Sequence, residues 1–246
     1  MTTTEGKVAI VTGAGSGIGA ATARRLVERG DRVLLVGRDA ERLARAHRVL
    51  GTGATDVLAV DLTTERAGET VLGAALDRWG RVDVLVNNAG INRAGDFATL
   101  SMRDFDDIFA VNVRAPYALT RATVPHLSPG SSIVFVGSNL SRYGKPGAAA
   151  YAASKAAVES LTRTLAVELG GAGIRVNAVS PGMTHTGMTA AGLADEERYR
   201  QLVANSPVGF LGVPDDIAAT IAFLTSDASR YVNGAAIVID GGRTLI

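Results

Sequence analysis

The chain contains no cysteine. That excludes disulfides, iron–sulfur clusters, thiolate zinc sites and a thiol nucleophile. Histidine is scarce too. His47, His126 and His185 lie far apart and none has a partner at metal-ligand spacing, so no metal is expected. Neither charge predominates. With 25 basic and 24 acidic side chains the formal net charge is +1, which offers no basic field for nucleic acid and no polybasic membrane patch. No apolar run approaches the ~20 residues needed to cross a bilayer. The N-terminal MTTTEGK lacks a charged-then-apolar signal pattern. The expectation is a soluble cytoplasmic protein, with a small-molecule substrate of either charge.

What is present is enough for one large domain. Of 246 residues, 47% are apolar, so a full core can be built. Short apolar runs at 8–11, 32–36, 57–60, 82–86, 132–136, 174–179 and 235–239 alternate with longer amphipathic segments. That alternation predicts an α/β fold, a doubly wound parallel sheet of about seven strands with helices on both faces. No repeat, linker or low-complexity tract divides it. In such a sheet the ligand site lies at the carboxyl ends of the strands.

The chemistry-bearing residues collect at those ends. The first run leads into Thr12-Gly13-Ala14-Gly15-Ser16-Gly17-Ile18-Gly19, and a helix follows. Glycines let the backbone approach a pyrophosphate, and the helix N-terminus supplies N–H groups and partial positive charge. The second strand ends in Gly37-Arg38-Asp39. An acidic residue at its end would accept from a ribose hydroxyl. Gly37 does not, and Arg38 suits a 2′-phosphate, so NADP(H) is favoured over NAD(H). Asp61-Leu62, Asn88-Ala89-Gly90 and Ser138 follow later strands, and Thr63 or Thr64 suits the cap of the helix ending at Trp79. Residues 101–127 read as one long helical stretch containing Asn112 between two valines, a polar residue that needs partners or a function. Tyr151 and Lys155 share one face of an Ala-rich helix over 147–169. A neighbouring ammonium would draw the phenol's pKa down; reaching 7 takes about 4 kcal/mol. Such a pair can move a proton on or off an alcohol oxygen. Residues 183–211 read as a lid with one or two helical turns.

These residues resemble the classical short-chain dehydrogenase/reductase family, essentially end to end, from Lys7 to Gly242. The resemblance implies a Rossmann-type single domain. It implies a tetrad of Asn112, Ser138, Tyr151 and Lys155. Tyr151 would transfer the proton, Lys155 would lower its pKa and hold the nicotinamide ribose, Ser138 would bond the substrate oxygen, and Asn112 would hold a relay water. Gly13, Ser16, Gly17, Ile18 and Gly19 resemble the cofactor turn, with Asp61 and Leu62 at the adenine. Asn88, Ala89 and Gly90 match the strand-four motif. Pro181, Gly182, Thr184 and Thr186 resemble the segment that orients the nicotinamide. Ser16 stands where many NADP-using relatives carry a basic residue, Thr184 replaces an apolar one, and Phe210 replaces an arginine.

The resemblance is strongest to 3-oxoacyl-carrier-protein reductases, with sugar and steroid dehydrogenases near by. It implies a homotetramer, and it admits an acyl-carrier-protein partner docked on Arg93 and Arg142. The other readings are an NAD-dependent sugar or secondary-alcohol dehydrogenase and, more remotely, a non-catalytic nucleotide-sensing protein. Candidate pocket residues are Asn92, Asn139, Tyr143, Met183, His185 and Met188.

Overall fold

The computed structural model describes residues 6–246. Seven strands form one sheet: β1 (Val8–Thr12), β2 (Arg32–Gly37), β3 (Thr55–Ala59), β4 (Val84–Asn87), β5 (Ser132–Val136), β6 (Arg175–Pro181) and β7 (Ala236–Ile239). Their order is β3-β2-β1-β4-β5-β6-β7, and every neighbouring pair is parallel. β1 and β5 are buried at every position, as strands covered on both faces must be. The winding runs outward from β1 to β3, then resumes at β4 beside β1. The reversal opens a crevice between the carboxyl ends of β1 and β4.

Nine α-helices occur among the described residues: α1 (Gly17–Glu28), α2 (Ala40–Leu50), α3 (Ala67–Trp79), α4 (Met102–Phe109), α5 (Ala115–Thr123), α6 (Ala149–Gly170), α7 (Ala190–Leu193), α8 (Glu196–Ala204) and α9 (Pro214–Leu224). Alternate strand residues feed two apolar layers. On one face Val11, Val86 and Val134 pack with Leu26 of α1 and Ile221 of α9. On the other, Ile10, Leu85 and Phe135 pack with Val71, Leu119 and Val158 of α3, α5 and α6. Each such buried side chain stabilises the fold by roughly 1.5–3 kcal/mol.

The stretch over 101–127 is not one helix. α4 ends at Phe109, a π turn occupies Ala110–Arg114, and the Ala115 N–H bonds to the Ala110 carbonyl. Pro116 has no N–H to offer the carbonyl four residues back, at Asn112. The wider turn fits one extra residue and re-aims the side chains within it. The cap expected at Thr63 or Thr64 is also absent. α3 starts later, after Arg66, without a side-chain cap. The Thr63 hydroxyl is instead bonded to Asp61 Oδ1, and the Thr64 hydroxyl to the Asp61 carbonyl. Strand edges shift by one or two residues. β3 starts at Thr55, whose buried side chain donates to the Gly51 carbonyl.

Candidate active site

The glycine turn between β1 and α1 is shaped by close backbone approach. Gly13 has φ +66, and a Cβ on Gly19 would lie 2.3 Å from the Gly13 carbonyl oxygen. Only glycine fits both positions. Ser16 precedes α1 but makes no side-chain cap. The first N–H groups of the helix therefore stay available, and with the helix dipole they favour an anion.

A threonine strap aligns the turn with β4. The Thr12 hydroxyl donates to the Val86 carbonyl and accepts from the Asn88 and Ala89 N–H groups at 2.9 and 3.0 Å. Asn88 Nδ2 returns a bond to the Thr12 carbonyl at 2.8 Å. Asn88-Ala89-Gly90 is thus fixed beside Gly13. Toward β2 and β3 the crevice continues between Arg38, Asp61 and Leu62. Arg38 is exposed there. Asp61 accepts the Thr63 N–H and hydroxyl at 2.9 and 2.7 Å. These bonds, with a smaller attraction from Arg38, hold its carboxyl below the ordinary value. The group is an anion with spare acceptor capacity, which suits an adenine amine or a ribose hydroxyl.

Toward β5 and β6 the crevice is walled by Ser16, Gly17, Ile18, Asn88, Ala89 and Gly90 on one side. Ser138, Tyr151 and Lys155 face it from β5 and α6, and Pro181, Gly182, Thr184 and Thr186 from the end of β6. Three of the four expected catalytic residues therefore share one cleft. Burial raises the Tyr151 phenol above its ordinary pKa, with a Ser138 hydrogen bond pulling the other way. Burial lowers Lys155 to about 8. Its ammonium donates to the Val136 carbonyl at 2.7 Å and lies 5.7 Å from the Tyr151 ring centre. The lysine-driven depression of the tyrosine pKa is not what this geometry gives. The cost of burying a phenolate dominates.

Asn112, the fourth, stands behind the cleft wall. It is 1% exposed. Its Oδ1 accepts from the Ile91 N–H at 2.8 Å, and its Nδ2 donates to the Ile91 carbonyl and to Ser154 Oγ at 2.9 and 3.0 Å. The Ser154 hydroxyl then donates to the Tyr151 carbonyl at 2.7 Å. The π turn thereby ties the loop after β4 to the helix turn that carries Tyr151.

A second compartment opens beside Ser138 and Tyr151. Asn92, Asn139, Tyr143, Met183 and Met188 line it, with Leu202 of α8, Asn205 just past its end, and Phe210. His185 does not. Its ring lies 5.8 Å from that of Tyr199 on α8, away from this compartment. Arg93 and Arg142 are not free docking charges. Arg93 pairs with Asp104 and Asp107 at 3.1 and 3.4 Å, and Arg142 donates to the Ala236 carbonyl and lies 3.7 Å from Glu159.

Ser154, Glu159 and Asp240 support the site without having been singled out in the sequence, and Thr12, read only as the start of the glycine turn, straps it to β4. Glu159 is a buried carboxylate on α6. Its Oε1 accepts from Ser141 and Ser180 at 2.7 and 2.5 Å, joining the loop after Ser138 to the strand before Pro181. Burial raises the Asp240 carboxyl, but bonds from Asn139, Thr244 and Gly242 outweigh it and hold the group low. Asn139 is thereby locked to the C-terminal segment. The spacing from Tyr151 to Glu159, eight residues, is a helical-face signal that could have found the glutamate.

Comparison with known proteins places the whole chain. The sequence model of the family described as Enoyl-(Acyl carrier protein) reductase matches residues 13–244. The 2-(R)-hydroxypropyl-CoM dehydrogenase of Xanthobacter autotrophicus is 42% identical over 248 residues, covering 98% of this chain and 99% of its own. The 3-ketoacyl-(acyl-carrier-protein) reductase of Brucella melitensis, solved with NADH, is similar with a TM-score of 0.90 and 36% identity, over 98% of this chain and 99% of that one. A Beutenbergia cavernae protein assigned as an NAD(P)-dependent gluconate 5-dehydrogenase, solved with NADP at low occupancy, gives 0.91 and 38%, over 99% of this chain and 98% of that one.

Proposed function

This chain belongs to the short-chain dehydrogenase/reductase family, oxidoreductases of alcohol and ketone groups, and on that premise we propose that it uses NADP(H) to interconvert a ketone and a secondary alcohol. A 3-oxoacyl thioester is one such ketone. The observation that carries the reading is the convergence of Ser138, Tyr151 and Lys155 on the cleft that begins at the uncapped N-terminus of α1. The residues fit a dinucleotide. The first N–H groups of α1 carry no side-chain cap and suit a pyrophosphate.

When bound, the nicotinamide donates or accepts a hydride; the rest is the protein's work. Ser138 and Tyr151 present hydroxyls to the substrate oxygen and stabilise the negative charge that grows there during reduction. Tyr151 gives up its proton to that oxygen. With its pKa held up by burial, the phenol is fully protonated at neutrality and ready as an acid. Lys155, at about 8, keeps its charge there and is placed to hold ribose hydroxyls. Asn112 positions the Tyr151 turn through Ser154.

Thr184 and Thr186 border the nicotinamide end. The Thr189 hydroxyl donates to the Thr184 carbonyl, with the Thr186 carbonyl also within reach, and accepts from the Thr186 N–H. The assembly that supports this site is a homotetramer in our reading. Val167 on α6, Tyr117 on α5 and the C-terminal Leu245 and Ile246 leave apolar surface exposed for it.

Consumption of NADPH and NADH over a ketone panel tests the reading. Turnover with NADPH is expected, and no turnover with either dinucleotide contradicts it. Arg38 supplies the 2′-phosphate preference. Arg38→Asp removes that partner and adds repulsion, so the NADPH-to-NADH ratio of kcat/KM should fall by about tenfold or more, the worth of a charge-assisted bond. An unchanged ratio would put the phosphate elsewhere. A wild-type preference for NADH would favour the NAD-dependent alcohol dehydrogenase reading.

A further inference from the structure

The compartment beside Ser138 and Tyr151 has a volume of about 360 Å³, ample for a small ketone with a tail. Its lining cations outnumber its carboxylates. Lys145 and Arg243 line it. Arg198, on α8, does not line it; its guanidinium lies beside Gly192, near enough for its charge to act on Lys145. None of the three makes an ion pair among the described residues. Arg243 is instead stacked over the Tyr143 ring at 5.8 Å.

The single lining carboxylate, Asp240, is engaged. Its oxygens accept from Asn139, Gly242 and Thr244 at 3.1, 3.0 and 2.9 Å. Three cations from three separate segments thus gather near one lining carboxylate, whose oxygens are already taken by N–H donors. Lys145 is exposed at the rim, yet crowding by cleft atoms, and then the charges of Arg198 and Arg243, lower its pKa. Like charges gathered at one mouth repel, and a bound anion relieves that repulsion.

We propose that the substrate carries a terminal oxyanion, held by Lys145 and Arg243 near the charge of Arg198 while its carbonyl lies at Ser138 and Tyr151. The inference rests on the ketone-reduction reading of the same cleft and names the class of ketone. Arg243 offers a planar fork suited to a carboxylate or phosphate, and Lys145 a point charge.

Matched probe pairs test it. Acetoacetate, levulinate and 5-oxohexanoate are compared with their methyl esters, and dihydroxyacetone phosphate with dihydroxyacetone. At least one anion should exceed its neutral partner by about tenfold or more in kcat/KM, the yield of one charge-assisted bond. The advantage should shrink as salt rises and fall toward onefold in a Lys145→Gln/Arg243→Gln double variant. The winning pair separates carboxylate from phosphate. Neutral partners that equal every anion, or an advantage that survives in the double variant, would overturn the proposal. So would a preference confined to thioesters of an acyl carrier protein, which would make these cations a protein-docking surface.

Calorimetric titration of the same anions separates the two readings. Binding that is lost in the double variant, with no turnover of any probe, would keep the oxyanion site and discard ketone reduction. Turnover of the esters with no anion binding would do the reverse.

Discussion

Tyr151→Phe is expected to lower kcat by about 10²–10⁴-fold, the usual contribution of a positioned proton donor, while dinucleotide affinity stays within about twofold. The substitution removes one oxygen and no carbon. The phenol reaches the cleft beside Ser138, whereas the anion-binding N–H groups lie at the start of α1. The two functions are therefore separable. Burial keeps the phenol's pKa above its ordinary value, so the proton is present throughout the neutral range. Reduction should hold there and fail on the alkaline side, where Lys155, near 8, loses its charge first and the phenol follows. Steady-state kinetics with NADPH, paired with fluorescence titration of the dinucleotide, check both halves. Near-normal turnover in the variant would remove Tyr151 from the chemistry.

Gly19→Ala should be equally damaging by another route. The added methyl would lie 2.3 Å from the Gly13 oxygen, 2.5 Å from Asn88 Nδ2 and 2.7 Å from the Gly13 carbon. None of these can yield cheaply. The Gly13 atoms are backbone in the anion-binding turn, and Asn88 is strapped to Thr12. Either the turn shifts or α1 does. A loss of about 1–3 kcal/mol in stability is expected from such overpacking, with a dinucleotide Kd raised at least about tenfold because the turn is the binding surface. Gly73→Ala is the control. That glycine lies within α3 and its Cβ would meet nothing within 4 Å, so alanine there should stabilise by up to ~1 kcal/mol. Denaturant unfolding and dinucleotide titration of both variants decide the point. Equal behaviour of the two would show that the contact at Gly19 does not matter.

The elements that carry the cleft were readable because their signals are local. β1 and β5 are short apolar runs buried on both faces, and the glycine turn sits directly between a strand and a helix. The π turn over Ala110–Arg114 left no such trace, since no glycine marks a break anywhere in 101–127. Pro116 was the available cue, and proline also fits the first turn of a new helix.

Long-range partners were hidden for a different reason. Glu159 reads as one more polar residue on a helix, yet Ser141 and Ser180, from two other segments, turn it into a buried acceptor. Arg93 and Arg142 read as free loop charges until Asp104, Asp107 and Glu159 come into reach. The reverse holds at the substrate compartment. Lys145, Arg198 and Arg243 are 53 and 45 residues apart in sequence, and only the fold gathers them. The tyrosine's electrostatics were misjudged on the same ground. Spacing places Lys155 one turn from Tyr151 but says nothing of the burial that raises the phenol, nor of the Val136 carbonyl that accepts the ammonium's hydrogen bond.

Isotope transfer follows the proposed hydride from the nicotinamide to the carbonyl carbon, with Tyr151 handling the proton. The purified protein is incubated with NADPH deuterated at the transferable nicotinamide C4 position and with the matched ketones, and the alcohol products are analysed by mass spectrometry. One deuterium is expected at the carbinol carbon of the product, formed by the wild type and suppressed in Tyr151→Phe. Alcohol formed without the label, or labelled alcohol formed at the same rate by the variant, would contradict that reading.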